Sequence, residues 1–231
     1  MEKWQLDQMV SLPLEAKVIK SKLRIKEWYE YWEGNVYVSF SGGKDSTILL
    51  HLVRELYPEV PAVFCDTGLE FPEIREFVKT VDNVIWLKPK MSFRSVINKY
   101  GYPLISKEQA QYIYDVRNTK SDKLRDIRLN GNRWKRGKVS EKWKFLLDAP
   151  FPISAKCCNI LKKSPAKIYE RKTGRKPFVG TMTGESSLRL QSWLRTGCNA
   201  FESNRPISTP LAFWTEEDIW AYIKKYNINY S

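Results

Sequence analysis

The stretch Val36–Val53, VYVSFSGGKDSTILLHLV, largely decides the fold of this chain. Its start, Val36–Phe40, is apolar and rich in β-branched and aromatic side chains, which is typical of a buried strand. Apolar residues then recur at helical spacing and predict a helix over Lys44–Leu56. Two glycines, a lysine and two serines fill the junction. Such residues fit a tight turn between buried elements, and they also fit a phosphate-binding site.

The alternation of strand and helix continues after this stretch. Strands are predicted at Ala62–Cys65 and Val84–Leu87, and helices at Pro72–Thr80 and Ser92–Tyr100. The alternation is typical of a parallel sheet with crossover helices, and continuous apolar strands fit a sheet covered on both faces. The other predicted elements are helices at Pro13–Trp32, Lys107–Arg117, Ala155–Lys172 and Trp214–Tyr226, a strand at Phe178–Thr181, and a loop followed by a helix over Gly184–Leu194.

Composition and charge restrict the class of protein. The 231 residues are 42% hydrophobic and 13% aromatic, which fits one large folded domain or one domain with an appendage. No run is long enough for a membrane helix, and residues 1–34 lack an apolar signal region. We therefore expect a cytoplasmic protein with no membrane partner. The net charge of +13 favours an anionic partner, although a basic surface that keeps the protein soluble would also account for it.

Much of the positive charge lies in one segment, Arg117–Lys144, which carries eleven Lys and Arg against three Asp and Glu. We predict an N-terminal helical segment at residues 1–34 and a main domain at residues 35–231, with this segment as a basic insertion at residues 117–144. The insertion could close over a site, or bind nucleic acid (tRNA or DNA) or a sulfur-donor protein. A solvated connection is the alternative.

The four cysteines and the single histidine limit the available chemistry. His51 lies within the predicted helix after the glycines, so neither a histidine-based metal site nor a Ser-His-Asp triad is expected. Cys65 lies in an apolar run and is predicted to be a core thiol. The adjacent Cys157 and Cys158 favour ligation or thiol chemistry, because neighbouring cysteines rarely bridge each other. Lys156 and the nearby helix start are expected to lower the thiol pKa.

The junction Ser41–Ser46 has the features of an anion site. It follows a strand at the edge where α/β sheets bind ligands. Gly42 and Gly43 let backbone N–H groups approach an anion, and the next helix directs its positive end to the same place. Lys44 adds a full charge, and the serine hydroxyls add donors. We therefore favour a phosphate site over a simple turn.

Ser41-Gly42-Gly43-Lys44-Asp45-Ser46 matches the S-G-G-x-D-S PP-loop of the ATP pyrophosphatase group at every defined position. Four more stretches follow in the order of one branch of that group, and with them the chain resembles the phosphoadenosine phosphosulfate (PAPS) reductase family over about Leu23–Tyr230. These stretches are FCDTGLEFPE (Phe64–Glu73), KCCNILKKSP (Lys156–Pro165), GTMTGESSLR (Gly180–Arg189) and PLAFWTEEDIWAYI (Pro210–Ile223).

The resemblance implies a three-layer, doubly wound α/β fold of the adenine nucleotide alpha hydrolase type. Its sheet would be mostly parallel and five-stranded, with an N-terminal helix and a helical C-terminal part. It also implies attack at the α-phosphate of ATP with release of pyrophosphate. Ser41, Gly42, Gly43, Lys44, Asp45 and Ser46 would then hold phosphates, with Lys44 and Asp45 in catalytic positions and Mg²⁺ bound with the triphosphate.

Other site residues are assigned by the same resemblance. Asp66, Thr67 and Gly68 would contact the nucleoside. Arg189 would hold a phosphate or sulfate beside Glu185, although these two residues, four apart, could also form a simple helical ion pair. Cys157 or Cys158 would carry sulfur. With Cys198 they are possible ligands of a 4Fe–4S cluster, for which the ligand set is incomplete.

Two departures from the reductase pattern bear on the substrate. The loop is intact, whereas PAPS reductases usually have a degraded version, and this favours ATP over PAPS. The chain also has neither the C-terminal cysteine nor the later Cys-x-x-Cys of reductases, and its last residues, INYS, read as though more could follow. The leading hypothesis is ATP cleavage in sulfur or nucleotidyl transfer. A thiol-dependent PAPS reductase and a nucleotide-regulated nucleic-acid-binding module are the alternatives.

Overall fold

The computed structural model describes residues 1–231, which form two compact units. The first unit comprises residues 1–66, 70–87 and 168–231, and the second comprises residues 67–69 and 88–167. The sheet and the glycine loop belong to the first unit. The basic segment and the paired cysteines belong to the second. The predicted boundary between residues 34 and 35 stays a prediction.

Six strands form one sheet in the first unit, in the order β3-β2-β1-β4-β6-β5. The pairs are parallel except for β5 with β6, which is antiparallel. In register, Val38 at the centre of β1 lies between Ala62 of β2 and Phe178 of β4. The strands are β1 (Val36–Phe40), β2 (Ala62–Cys65), β3 (Val84–Leu87), β4 (Lys176–Val179), β5 (Asn199–Ala200) and β6 (Ile207–Ser208).

The α/β prediction is confirmed, but the sheet has six strands instead of five. The additional edge is made by β5 and β6, which are two residues each. Strands this short show no alternation of apolar and polar residues, so the sequence pattern does not predict them. The bounds of β1, β2 and β3 agree with the prediction, whereas β4 begins earlier than predicted, at Lys176.

Ten α-helices accompany the sheet. They are α1 (Lys3–Val10), α2 (Leu14–Tyr31), α3 (Lys44–Leu56), α4 (Pro72–Lys79), α5 (Phe93–Tyr100), α6 (Lys107–Asn118), α7 (Asp122–Asn130), α8 (Ser164–Thr173), α9 (Ser187–Thr196) and α10 (Glu216–Tyr226). Short 3-10 segments lie at Glu141–Asp148 and Thr183–Glu185. None of the helices combines the length and the apolar character needed to cross a bilayer.

Helices cover both faces of the sheet in the first unit. Val36, Val38 and Phe40 of β1 point into the main core, which also contains buried residues of α2, α3, α4 and α10. Tyr37 points the opposite way and packs with Val63 and with Tyr169 of α8. Since successive side chains of a strand alternate between faces, β1 is buried on both sides. This arrangement confirms the three-layer fold.

The N-terminal residues are part of the first unit. In the sequence of α2, apolar residues recur at roughly helical spacing, and this pattern includes Ile19 and Leu23. Val18, Ile25 and Trp28 of the pattern are buried, whereas Ile19 and Leu23 are 61% and 50% exposed. These exposed residues lie outside the narrow stripe that contacts the core. The helix α1 was not predicted, and its Leu6 is buried in the same core.

A buried ion pair connects α2 to α10. Lys17 Nζ lies 2.5 Å from Asp218 Oδ2, and the two side chains are only 3% and 13% exposed. Asp218 also accepts hydrogen bonds from the backbone N–H (2.7 Å) and the hydroxyl (2.9 Å) of Thr215, the residue that caps α10. The start of α10 is therefore fixed both locally and from α2.

The second unit has its own small core, in which Ala110, Ile113, Val139, Leu146 and Ile153 are buried. The predicted helix over residues 155–172 begins at Cys157 and contains a π-helical turn at Asn159–Lys163 before α8. Pro165 accounts for the wider turn, because proline lacks the N–H that an α-helix needs and its ring crowds the carbonyl four residues earlier.

Candidate active site

Gly42 gives the loop between β1 and α3 a shape that no other residue would allow. Its φ is +80°, and a Cβ there would lie 2.9 Å from Ile74 Cγ2 and 3.1 Å from Val78 Cγ2, both on α4. Backbone conformation and space therefore both require glycine. The close approach packs the loop against α4.

Hydrogen bonds between side-chain hydroxyl groups and the backbone stabilise the loop. Ser46 Oγ accepts a hydrogen bond from Ser41 N–H (3.1 Å) and donates one to Gly43 O (2.9 Å). Thr47 Oγ1 donates to the same carbonyl at 3.1 Å. Both Ser46 and Thr47 are buried. The Ser46 hydroxyl, which the sequence suggested as a donor to an anion, is thus engaged in holding the loop in place.

Gly180, just after β4, brings that strand against the first turn of α3. A Cβ at Gly180 would lie 2.9 Å from the backbone oxygen of Asp45 and 3.3 Å from Ser46 Cα. The sheet thus supports the loop from the β4 side and α4 supports it from the other. A loop held on two sides is rigid, so an anion that bound to it would require little reordering.

Lys44 is surrounded by groups that favour its charge. Its Nζ lies 3.1 Å from Asp45 Oδ1, 3.2 Å from Glu216 Oε1 and 5.7 Å from the centre of the Trp220 ring. Trp220 Nε1 in turn donates to Glu216 Oε1 at 3.0 Å. Burial lowers the pKa of Lys44, but the hydrogen bonds to Asp45 and Glu216 outweigh this effect, and the pKa is raised. The ammonium is therefore charged at neutral pH.

The sequence predicts the last helix, Trp214–Tyr226, but assigns no site role to Glu216 or Trp220. The spacing of the two residues, four apart, indicates a shared helix face. No feature of the sequence indicates that this face meets Lys44.

Asp66, at the carboxyl end of β2, is buried and paired with Arg75 of α4. Arg75 Nη2 lies 3.0 Å from Asp66 Oδ2, and the Asp66 N–H donates to Leu87 O at 2.8 Å. Sequence reasoning identified Asp66 but not Arg75. The pair leaves a charged, hydrogen-bonded group at the ligand-binding edge of the sheet, where the resemblance places the nucleoside.

Thr67 and Gly68 directly follow Asp66 in the chain. The Thr67 hydroxyl accepts a hydrogen bond from Leu69 N–H at 3.3 Å. Gly68 has a φ of +79°, which favours glycine, yet no atom lies within 4 Å of where its Cβ would be. The turn therefore requires glycine for its backbone shape alone, and nucleoside binding by these two residues stays a prediction.

Glu185 and Arg189 form the ion pair that the sequence left open, but Glu185 lies in the 3-10 segment Thr183–Glu185, before α9 begins. The Arg189 guanidinium contacts the Glu185 carboxylate directly, and the Met182 N–H donates to the same carboxylate at 3.4 Å. Arg189 also lines a cavity of about 170 Å³ together with Trp193 and Cys198. A role of Arg189 in holding phosphate or sulfate stays a prediction.

The paired cysteines do not have the environment that the sequence suggested. Burial, and then the neighbouring Cys158, raise the pKa of Cys157, whereas we expected it to be lowered. The Lys156 ammonium lies 4.6 Å and 5.1 Å from the centres of the Tyr114 and Tyr100 rings, so aromatic faces take up its charge. Cys158 is exposed.

Cys198 is a core thiol. It is buried, and its sulfur accepts a hydrogen bond from Trp193 Nε1 at 3.4 Å. Burial raises the pKa of Cys198. No group of three or more His, Cys, Asp or Glu side chains in residues 1–231 is arranged to hold a metal ion. A 4Fe–4S cluster with Cys157, Cys158 and Cys198 among its ligands stays a prediction.

Comparison with known proteins is consistent with this geometry. The phosphoadenosine phosphosulfate reductase domain matches residues 35–127. The chain is 22% identical over 231 residues to an adenosine 5'-phosphosulfate reductase of Anoxybacillus flavithermus, covering 100% of this chain and 80% of that protein. It is 26% identical over 230 residues to the enzyme of the same name from Geobacillus sp., covering 99% and 79%.

Two further matches are to proteins named as reductases of phosphoadenosine phosphosulfate. A phosphoadenosine 5'-phosphosulfate reductase of Xylella fastidiosa is 23% identical over 227 residues, covering 97% of this chain and 78% of that protein. The crystal structure of the phosphoadenylyl-sulfate reductase from Candida auris, in a phosphate complex, matches with a TM-score of 0.50 and 16% identity, covering 100% of this chain and 89% of that chain. This likeness supports the fold. With its parallel sheet, its Ser41–Ser46 loop and these matches, the chain is similar to the PAPS reductase family, whose domain matches residues 35–127.

Proposed function

We propose that this chain binds adenosine 5'-phosphosulfate (APS) or PAPS and reduces the sulfate group to sulfite with electrons from thiols. The observation that carries this proposal is that relatives named APS or PAPS reductase align with 97–100% of the chain. These names favour reduction over the ATP cleavage that the intact loop suggested.

In the proposed reaction, a thiolate attacks the sulfur of the sulfate group. The sulfur–oxygen bond to the phosphate breaks, its electron pair leaves with the nucleotide, and a thiosulfonate forms on the cysteine. A second thiol, from an external dithiol reductant, then attacks the cysteine sulfur. Sulfite departs and a disulfide forms, so the two electrons gained by sulfur come from two thiols. Among the four cysteines Cys158 is the exposed one, and we assign it the attacking role.

The Ser41–Ser46 loop and Lys44 would bind the nucleotide phosphate in this reaction. The backbone of the loop is fixed by Gly42 and Ser46, and the Lys44 ammonium is charged. Negative charge grows on the phosphate as the sulfur–oxygen bond breaks, so a fixed cation beside it lowers the barrier. Asp66, held by Arg75, would contact the nucleoside.

ATP cleavage at the α-phosphate is the second candidate, and the intact Ser41–Ser46 loop with its charged Lys44 is the observation that favours it. In that reaction the loop would hold the β- and γ-phosphates, and pyrophosphate would leave. Asp45 is the carboxylate of the loop that would contact Mg²⁺ bound with the triphosphate.

Separate reactions with APS, PAPS and ATP distinguish the two candidates. Each contains the purified protein and excess dithiothreitol, and both sulfite and pyrophosphate are measured. We expect sulfite from APS or PAPS, no sulfite with Cys158→Ser, and about 10- to 100-fold less at low substrate with Lys44→Met, because a charge-assisted hydrogen bond to the phosphate is lost. Lys79→Met removes an exposed, paired lysine of α4 and serves as the matched control.

Three outcomes would contradict the proposal in different ways. Pyrophosphate from ATP without sulfite from either sulfated nucleotide would overturn the reductase proposal in favour of the second candidate. Sulfite release that persists in Cys158→Ser would reject the assigned nucleophile. If the folded protein released neither product, both candidates would be wrong.

A further inference from the structure

The net positive charge of the chain comes from the second unit. Residues 67–69 and 88–167 contain 20 Lys and Arg against 6 Asp and Glu, a net charge of +14. The first unit contains 19 against 20, a net charge of −1. The first unit, which contains the glycine loop, is thus almost neutral. A nucleotide site on the loop therefore does not account for the excess of cations elsewhere.

Some basic residues of the second unit form ion pairs or hydrogen bonds within that unit. Arg128 pairs with Asp115 at 2.9 Å, and Lys144 pairs with Glu141 at 2.9 Å. Arg117 donates to Phe151 O (2.8 Å) and Ala149 O (3.1 Å). These cations hold the second unit together.

Another group of basic residues in the second unit forms no ion pair within the chain. Within the predicted basic insertion it includes the following six residues: Lys120, Lys123, Lys135, Arg136, Lys138 and Lys142. Five of the six are exposed, and Lys138 is half-buried. Unpaired cations at this density repel one another. A polyanion that binds there would remove the repulsion.

A tight turn after α7, the Asn132 loop (residues 131–136), presents some of these cations. The side-chain oxygen of Asn132 accepts hydrogen bonds from the N–H groups of Trp134 (2.9 Å) and Arg136 (3.0 Å). The Asn132 N–H donates to Arg136 O at 2.8 Å, and Lys135 N–H donates to Asn132 O at 2.7 Å. These four hydrogen bonds fix the backbone of the loop. The consecutive side chains of residues 132–136 are exposed.

An exposed indole lies at the tip of the Asn132 loop. Trp134 is 67% exposed, and the Arg133 guanidinium lies 4.9 Å from the centre of its ring. Phe145, later in the same unit, is 66% exposed. Neither side chain belongs to the core of the unit. Flat apolar rings among unpaired cations match a ligand that carries both negative charges and flat aromatic groups.

We propose that the Asn132 loop and its flanking lysines bind single-stranded nucleic acid. Trp134 would stack on a base while Lys135 and Arg136 contact phosphates. Single strands offer both features, because their bases are free to stack and their phosphates are regularly spaced. An acidic protein could also engage the cations, but it lacks the regular alternation of flat rings and negative charges that a single strand has. The proposal does not depend on the reaction at the glycine loop.

Fluorescence anisotropy with labelled 20-nucleotide oligo(dT) and oligo(U) tests the proposal on the full chain. Trp134→Ala should weaken binding about 5- to 150-fold, the loss expected for one stacked base. Trp4→Ala is the matched control, because Trp4 is a similarly exposed (58%) indole in the first unit. It should leave binding unchanged.

A salt titration tests the phosphate contacts. Binding to a single strand loses affinity with a log–log slope of about −0.7 for each phosphate neutralised, so Lys135→Gln with Arg136→Gln should make the slope about 1.4 less steep. The matched control replaces Arg171 and Lys172 by Gln, since they are adjacent exposed cations of α8 in the first unit. Their replacement should not alter the slope.

Binding to either oligonucleotide supports the proposal, and the preferred one identifies the strand as DNA or RNA. The proposal is overturned if neither oligonucleotide binds at about 50 mM salt, where such contacts are strong. It is also overturned if Trp134→Ala binds like the unmodified protein or if a duplex of the same length competes equally. The last two results would indicate a general polyanion surface, such as one for an acidic protein.

Discussion

Replacing Gly42 by alanine should damage both stability and nucleotide binding, for two separable reasons. The first is the backbone, since a φ of +80° is unfavourable for any residue with a Cβ. The second is space, since the new methyl would lie 2.9 Å from Ile74 Cγ2 and 3.1 Å from Val78 Cγ2. The clash would move the loop away from α4 and so displace its N–H groups.

Gly174 allows the two reasons to be separated. It follows α8 with a φ of +74°, and a Cβ there would have no atom within 4 Å. Alanine at either position bears the backbone cost of about 1–2 kcal/mol, and the effect on the unfolded chain is the same. Gly42→Ala adds about 1–3 kcal/mol for overpacking. We therefore expect Gly42→Ala to be less stable than Gly174→Ala by about 1–3 kcal/mol.

Denaturant unfolding of both variants gives this difference, and the rise in melting temperature with PAPS or ATP reports nucleotide binding. Gly174→Ala should keep the full nucleotide-induced rise, and Gly42→Ala should lose most of it. Equal destabilisation by the two variants would refute the proposed packing of the loop against α4. A normal nucleotide response of Gly42→Ala would refute the role of the loop as a phosphate site.

Three further predictions concern the rest of the first unit. Burial lowers the pKa of His51, so the unfolded chain takes up its proton first as the pH falls. Stability that is present above about pH 6.5 should therefore decline below it, and an unfolding series with His51→Gln should show a weaker decline. Lys17→Met should cost about 3 kcal/mol, because it leaves the buried Asp218 without its cation. Lys26→Met, an exposed change on the same helix, should cost little, and equal losses would contradict the importance of the ion pair. Cys198 should resist iodoacetamide in the native protein, as judged by peptide mass spectrometry, because it is buried and burial raises its pKa. Alkylation at the rate seen in urea would disagree with that burial.

The sequence predicts the central sheet well because each strand there is a continuous apolar run. The bounds of β1, β2 and β3 agree with the structure, and α3 agrees at both ends. The prediction fails for β5 and β6, which are stabilised by pairing with each other and with β4 and carry no pattern of their own. It also fails for Ile19 and Leu23, because periodicity does not define how wide the contact with the core is.

The candidate site is predicted in part, for a physical reason. Ser41–Ser46 is a local motif whose glycines and helix start act on adjacent residues, so the sequence alone identifies it. Contacts between residues that are far apart in the chain cannot be predicted from a local motif. The contact between Lys44 and Glu216 joins residues far apart in the chain. The shift in the pKa of Cys157 follows from burial, which no short stretch of sequence determines.

The contact between α10 and Lys44 offers a fluorescence signal for ligand binding at the Ser41–Ser46 loop. The Trp220 ring lies 5.7 Å from the Lys44 ammonium, and its N–H is bonded to Glu216. A phosphate that draws Lys44 toward itself removes a positive charge from beside the indole, and the emission of an indole responds to nearby charge. The spectrum of the protein minus that of Trp220→Phe would isolate this signal from the other tryptophans. Ligand titrations could then follow occupancy of the loop without a label or a coupled reaction.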